Sequence, residues 1–291
     1  MDFVSQIING LHVGSIYALI ALGYTMVYGI VKLINFAHGD VIMVGSYVVL
    51  ISLTEMHVPF WIAIIIAVVF CALLGMLIER FAYKPLRNAS RISPLITAIG
   101  VSLLLQNIAM IIFSANPKPF PNVISGEPIQ IGGIQIGPVT IFTILVSVFL
   151  MIVLEFFISK TKMGKAMRAV SEDAGAATLM GININTTIAI TFAIGSGLAA
   201  VGGALYSSAY PIVDPYIGSM LGLKAFIAAV LGGIGKVRGA MLGGFIIGVS
   251  ECLTKGYVSS QLSEAVVFAI LILVLLVKPS GILGQNIREK V

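Results

Sequence analysis

Apolar residues fall into nine long runs along the chain, near 7–29, 40–55, 60–79, 94–113, 139–158, 187–208, 219–234, 239–254 and 263–277. A helix needs roughly 20 apolar residues to cross the hydrocarbon core of a bilayer. The second, seventh and eighth runs are shorter, which predicts tilted, broken or re-entrant helices and a bundle of eight to ten such segments. The fold class that follows is an all-α polytopic membrane protein, with residues 1–291 forming one transmembrane domain. The stretch 114–138 interrupts this pattern. It carries Pro117, Pro119, Pro121, Pro128 and Pro138 among several glycines, so no helix survives there. Within it, Ile129-Gln130-Ile131 and Ile134-Gln135-Ile136 alternate around Gly132-Gly133, which predicts a small β-hairpin. It reads as a lid joining two helices or as a docking surface for an external partner.

Composition narrows the classes. Hydrophobic residues make up 58% of the 291 positions and charged residues only 10%, with mean hydropathy +1.07. Soluble domains carry roughly 25% charged residues, so soluble enzymes, nucleic-acid binders and disordered scaffolds are largely excluded. The net charge of +5 is then a topology marker before it is a sign of a polyanion partner. Placing the N-terminus outside and crossing nine times collects fourteen basic residues on the inner side: Lys32, Arg80, Lys84, Arg87, Arg91, Lys160, Lys162, Lys165, Arg168, Lys236, Arg238, Lys278, Arg288 and Lys290. Lys118 and Lys255 fall outside and Lys224 within a segment. This asymmetry is the positive-inside pattern, and it puts the C-terminus in the cytoplasm. Met1-Asp2-Phe3 lacks the basic start of a cleaved signal, so the first apolar run is expected to be retained. Cys71 and Cys252 sit in apolar runs and read as small buried hydrophobes.

Glycine is abundant, at 31 residues, and much of it recurs every fourth position: Gly10/Gly14, Gly195/Ala199/Gly203, Gly235/Gly239/Gly243 and Gly244/Gly248. Small residues at this spacing let membrane helices pack backbone to backbone. No internal repeat is evident in the sequence.

The loop 160–185 is the most informative polar stretch. Ser171 suits a helix N-cap, Glu172 and Asp173 suit the first turn, and Gly181 suits the position past the C-terminus. Met167, Val170, Ala174, Ala177 and Gly181 share one helical stripe. A helix over 172–180 is too short to be stable alone. Its small face, Ala174, Gly175, Ala176 and Ala177, suits a plug seated either on this chain's own membrane domain or in a partner's socket.

Polar residues inside the apolar runs need partners, a cavity or the interface. Asn35, Phe36, His38 and Asp40 lie at the first junction, as a broken-helix element lining a permeation path or as a surface turn that Asp40 caps. Gln106 and Asn107 are mid-segment and must hydrogen-bond inside the bundle, as structural glue or as substrate contacts. Glu79 and Glu155 are expected to pair with nearby Arg or Lys. Lys224 is expected to snorkel, to meet a substrate carboxylate or to pair with Glu251, and Asp214 marks an outer turn. The central segments show no Asp/Glu/His cluster of the kind an ion-coupled carrier needs. Catalytic and metal-binding motifs are absent. Gly232-Gly233-Ile234-Gly235-Lys236 lacks the spacing and the Ser/Thr of a phosphate loop and reads as a helical-hairpin turn.

Ala176-Ala177-Thr178-Leu179-Met180-Gly181 resembles the ATPase-docking loop of ABC importer permeases, with Gly175 where that pattern has glutamate. Four further stretches look like the LivH-type permease of branched-chain amino acid ABC importers, almost end to end and in order. They are Ile34-Asn35-Phe36-Ala37-His38-Gly39-Asp40, Gly164-Lys165-Ala166-Met167-Arg168-Ala169, Gly232 to Gly244, and Lys278-Pro279-Ser280-Gly281-Ile282-Leu283-Gly284. Lys278 stands where the pattern has Arg. The resemblance implies a membrane subunit that is not itself an enzyme and binds no cofactor, with ATP and Mg held by partners. It implies a second permease of the LivM type, two cytoplasmic ATPases and an extracytoplasmic binding protein, in the cytoplasmic membrane of a bacterium or archaeon and with no nucleic acid. Ala176, Ala177 and Gly181 fall on the docking loop. The cargo it implies is a branched-chain or other small apolar amino acid, with urea or an amide also open. The rival reading is a stand-alone secondary transporter or channel.

Overall fold

A computed structural model describes residues 3–284 except 88, 91 and 132. Arg91, Gly132, Arg288 and Lys290 of the sequence reading therefore lie outside the described residues. The apolar runs form α1 (Phe3–Val31), α2 (His38–Thr54), α3 (Phe60–Ile78), α4 (Ile92–Phe113), α5 (Pro138–Lys160), α8 (Ile184–Ala209), α9 (Ile217–Gly232), α10 (Val237–Tyr257) and α11 (Leu262–Val277). Two polar helices, α6 (Lys162–Glu172) and α7 (Ala174–Leu179), fill the link between α5 and α8. Six helices are long and apolar enough to cross a membrane, whereas α2, α9 and α11 have 16 or 17 residues. The chain is thus a multi-pass membrane protein.

The hairpin forms as its alternation requires. Strands β2 (Ile129–Ile131) and β3 (Ile134–Ile136) pair antiparallel with Gln130 opposite Gln135, and Gly133 takes φ +86°, a conformation costly for any residue with a Cβ. A second pairing was not legible in the sequence. Strand β1 (Lys118–Pro119) pairs with β4 (Ile212–Val213), tying the proline-rich segment to the α8–α9 link.

The basic residues gather at one end. Arg87 bonds Glu79 and Asn185, Arg238 bonds Glu155, and Arg168 donates to the Ser159 carbonyl. Lys32, Arg168 and Lys236 border one cleft beside Pro279 and Ser280. This basic end therefore also carries the last described residues.

Although the sequence shows no repeat, the packing does. Helices α1–α4 and α8–α11 form two halves of opposite direction. Helix α1 lies along α10, and its counterpart α8 lies along α3; α1 crosses α8, and α2 meets α9. Small residues make each contact. Gly23 faces Gly195 across the α1–α8 crossing, and Gly39 faces Gly218 where α2 meets α9. A methyl group at Gly248 would overlap the Gly14 backbone, and one at Gly75 would overlap Ser196. Inverted repeats escape a sequence scan because the requirement is only for small residues at crossing points, not for matching side chains. The middle of α1 and most of α8 are buried, while α3, α4, α5 and α11 present apolar rows outward. Those rows face lipid or partners, which are as apolar as the side chains themselves.

One charge cluster, buried at Lys224 and Glu251 and exposed at Lys255 and Glu264, lies in the half away from the basic end. Lys224 on α9 lies 2.9 Å from Glu251 on α10 and 3.5 Å from Glu264 on α11. Lys255 also reaches Glu251, at 2.6 Å, and Tyr17 of α1 donates to its other oxygen at 2.7 Å. Three consecutive helices bring these four charged groups together, two lysines with two glutamates, which is a set of ion pairs and not the Asp/Glu/His cluster of an ion-coupled carrier. Each is paired, so no vacant charge is left by this cluster. Lys224 takes the Glu251 partner anticipated for it, and its burial at 7% exposure excludes snorkelling.

Two outcomes follow from this packing. Gly248→Val should destabilise the detergent-solubilised protein by about 3 kcal/mol, since overpacking a tight contact forces backbone shifts. Gly100→Ala, which meets open space, should change stability little. Glu251→Gln should cost up to about 3–5 kcal/mol by removing the carboxylate nearest to buried Lys224 and leaving it only the exposed Glu264 at 3.5 Å, and Lys224→Met with Glu251→Leu should recover most of that. Denaturant unfolding followed by tryptophan fluorescence measures all four, and a cost below about 1 kcal/mol for Glu251→Gln would remove the pair's structural role.

Candidate functional site

The chain between α1 and α2 does not turn at the basic end. From Val31 it climbs back, so that α2 starts level with Gly23, about 12 Å up α1 at 1.5 Å per residue. The His38 ring fills the space a side chain at Gly23 would need and meets Tyr24 edge-on at 4.5 Å. His38 is 1% exposed, and its Nε2 has no hydrogen-bond partner among the described residues. Asn35 is buried and its Oδ1 accepts from the Tyr83 hydroxyl at 2.9 Å. Phe36 packs on Phe226 of α9 at 6.1 Å. The polar residues of this stretch are therefore enclosed within the chain rather than on a surface turn.

Asp40 does not cap α2. The N-cap position is Ala37, and Asp40 lies in the first turn, with its backbone against Gly218. Two helix N-termini thus converge near one carboxyl group. Gln106 of α4 donates to Asp40 Oδ1 at 2.8 Å and to Ser219 Oγ at 3.1 Å. Asn107 behaves otherwise than expected: it is exposed and donates to the Leu103 carbonyl of its own helix at 2.7 Å. A helix turns 100° per residue, so adjacent positions cannot both face the junction.

At the basic end the loop 160–185 holds two helices, not one. Thr161 caps α6, accepting from the Gly164 amide at 3.0 Å, and Met167 and Val170 face inward. The pattern carries the helix through Ser171 and Glu172, so the expected capping is corrected. Ser171 donates back to the Arg168 carbonyl at 2.7 Å, and Glu172 ends α6 instead of opening α7. Asp173, with extended backbone, is the real cap, accepting from the Ala176 amide at 2.9 Å. Gly181 at φ +80° ends the turn after α7 as the sequence predicts. Ala174, Gly175 and Ala176 are exposed, but Ala177 is buried against its own chain. The large exposed groups are Leu179 and Met180, at 90% and 83% exposure. The sequence places these two in the helix over 172–180 and in the Ala176–Gly181 stretch but gives them no contact of their own, although they are the bulky apolar pair in a run of small residues.

A cleft of about 590 Å³ opens between α6 and the ends of α1 and α9, bordered by Lys32, Arg168, Glu172 and Lys236. The Gly232–Lys236 stretch forms the α9–α10 link, and the Ile282 and Leu283 amides bond its start at Leu231 and Gly232.

Comparison with known proteins places these features. A family model described as branched-chain amino acid transport system / permease component matches residues 6–275. The LivH permease protein of a high-affinity branched-chain amino acid transport system from Salmonella typhimurium is 45% identical over 99% of this chain and 98% of its own length. The BraD permease protein of Pseudomonas aeruginosa is 44% identical over 99% and 98%. A probable LivH permease from the archaeon Methanocaldococcus jannaschii is 31% identical over 94% and 90%. These relatives are transport permeases, not enzymes. With such matches along nearly its whole length, this chain belongs to the family of branched-chain amino acid transport system permease components.

Proposed function

We propose that this chain is the membrane subunit of a binding-protein-dependent ABC importer that moves branched-chain or other small apolar amino acids by ATP-driven alternating access. The family supports the transport role, and the names of its relatives support the cargo. The observation that carries the ATP coupling is the bare pair Leu179–Met180 on α7. Large apolar groups standing in water at the tip of a short helix suit a partner's pocket. That partner is a cytoplasmic ATPase, which makes the basic end the cytoplasmic one, in line with the positive-inside rule. The C-terminus is then cytoplasmic, and the hairpin end faces the binding protein.

ATP and Mg act on two such ATPases, and this chain supplies the mechanical link. Helix α6 borders both α7 and the cleft, so a shift of α7 reaches the ends of α1 and α9 through it. The path runs between this chain and a second permease of the LivM type. The membrane is the cytoplasmic membrane of a bacterium or archaeon.

Tagging this chain and purifying it in mild detergent should retain the ATPase subunits. Leu179→Asp with Met180→Asp should lower the recovered ATPase by about tenfold or more, since each buried side chain contributes roughly 1.5–3 kcal/mol. These residues are exposed, so membrane insertion should be unchanged, whereas Ala177→Arg would also disturb this chain's own packing. Normal assembly of the double variant would refute the docking assignment. A lone chain moving solute without ATP would establish the carrier or channel reading instead.

A further inference from the structure

The buried charges other than Asp40 are accounted for by ion pairs. Asp40 is 2% exposed, yet no ion pair among the described residues includes it. It lies about 21 Å along α4 from that helix's first residue, judged from its Gln106 partner at 1.5 Å per residue, and so is near the middle of the hydrocarbon core. An acidic residue held there without a cation is costly and marks a functional site by default. The two helix N-termini that meet at Gly39 and Gly218 lower that cost but supply no countercharge of their own side chains.

What occupies the space in front of the carboxylate is a nitrogen. Gln106 Nε2 sits among three oxygens: Asp40 Oδ1 at 2.8 Å, Ser219 Oγ at 3.1 Å and Ser102 Oγ at 3.5 Å. An amide NH₂ has two hydrogens for these three acceptors, whereas a primary ammonium has three and carries the charge the carboxylate lacks. The set is too small for Ca²⁺, which takes six to eight oxygens. Ser219 is exposed on the chain's surface, and Gln106 and Ser102 are half-exposed. Polar groups on an otherwise apolar α4 face, at this depth, belong beside a water-filled path or a partner rather than lipid.

We propose that Asp40, Ser102, Gln106 and Ser219 form a mid-membrane site for the α-ammonium group of the transported amino acid, with the Gln106 amide standing in that place at rest. The inference rests on the transport reading above and adds to it where the cargo touches this chain. The Gln106 side chain must swing aside as the ammonium enters, and the α4–α9 seam is then one wall of the path.

The test uses the complete importer in proteoliposomes, with its ATPases, its second permease and leucine-loaded binding protein. Asp40→Asn should lower leucine uptake by about tenfold or more, the loss of a charge-assisted hydrogen bond, while ATP hydrolysis still responds to the binding protein. Asp40→Glu should retain more uptake than Asp40→Asn. Full uptake by Asp40→Asn would overturn the site and leave the transport reading standing. Wild-type complex that hydrolyses ATP but moves no leucine would overturn both. Should Asp40→Asn fail to assemble, Ser219→Cys decides. A thiol reacts as the thiolate, which forms only in contact with water. We expect a cationic methanethiosulfonate to label this cysteine, leucine to slow that labelling during turnover, and 4-methylpentanoate, which lacks the amine, not to do so. Absence of labelling, or equal protection by both compounds, would overturn the proposal.

Discussion

Backbone that is not helical can exist at membrane depth only where protein encloses it, because nothing in the hydrocarbon accepts or donates a hydrogen bond. The two halves of this molecule meet that constraint together. The climb from α1 to α2 and the descent from α8 to α9 both end inside the bundle, and the short helices they start meet at Gly39 and Gly218. The enclosure depends on contacts so close that a single Cβ would break them. Helices α1 and α8, each packed on the other half, form the walls that keep those breaks away from lipid.

Position along the membrane normal then sorts the chemistry. The basic end carries polar helices, a cleft and exposed apolar groups, all suited to a water-borne partner. The opposite half holds the Lys224–Glu251 cluster, whose charges are spent on one another and lock α1, α9, α10 and α11 together. Between them lies Asp40, whose charge has no such use. A buried ion pair offsets its desolvation by mutual attraction, whereas a buried carboxyl group without a cation leaves its charge for something that comes and goes.

Much of this was legible beforehand. The nine runs, the hairpin and the basic asymmetry are matters of local composition and length, which the bilayer reads directly. The short runs that became α2 and α9 were recognisable as irregular for the same reason. Capping was read less well. Ser171 and Asp173 are both good caps, and the choice between them turned on whether the inward face of Met167 and Val170 carried α6 past Ser171. Asn107 was misplaced because its position in an apolar run does not say which side of the helix the neighbours occupy.

The sequence by itself determined that this is a polytopic membrane protein, which end is basic, where its helices start and stop to within a few residues, and, by resemblance, its family. Each of these depends on residues near one another in the chain. Only the tertiary structure decided that the halves are inverted copies in packing, that Glu251 collects Lys224 and Tyr17, that Leu179 and Met180 stand bare, and that Asp40 faces Gln106 and Ser219. Those depend on contacts between residues tens to hundreds of positions apart. A medium that rewards close packing without regard to side-chain pattern leaves little trace of such contacts in any one segment.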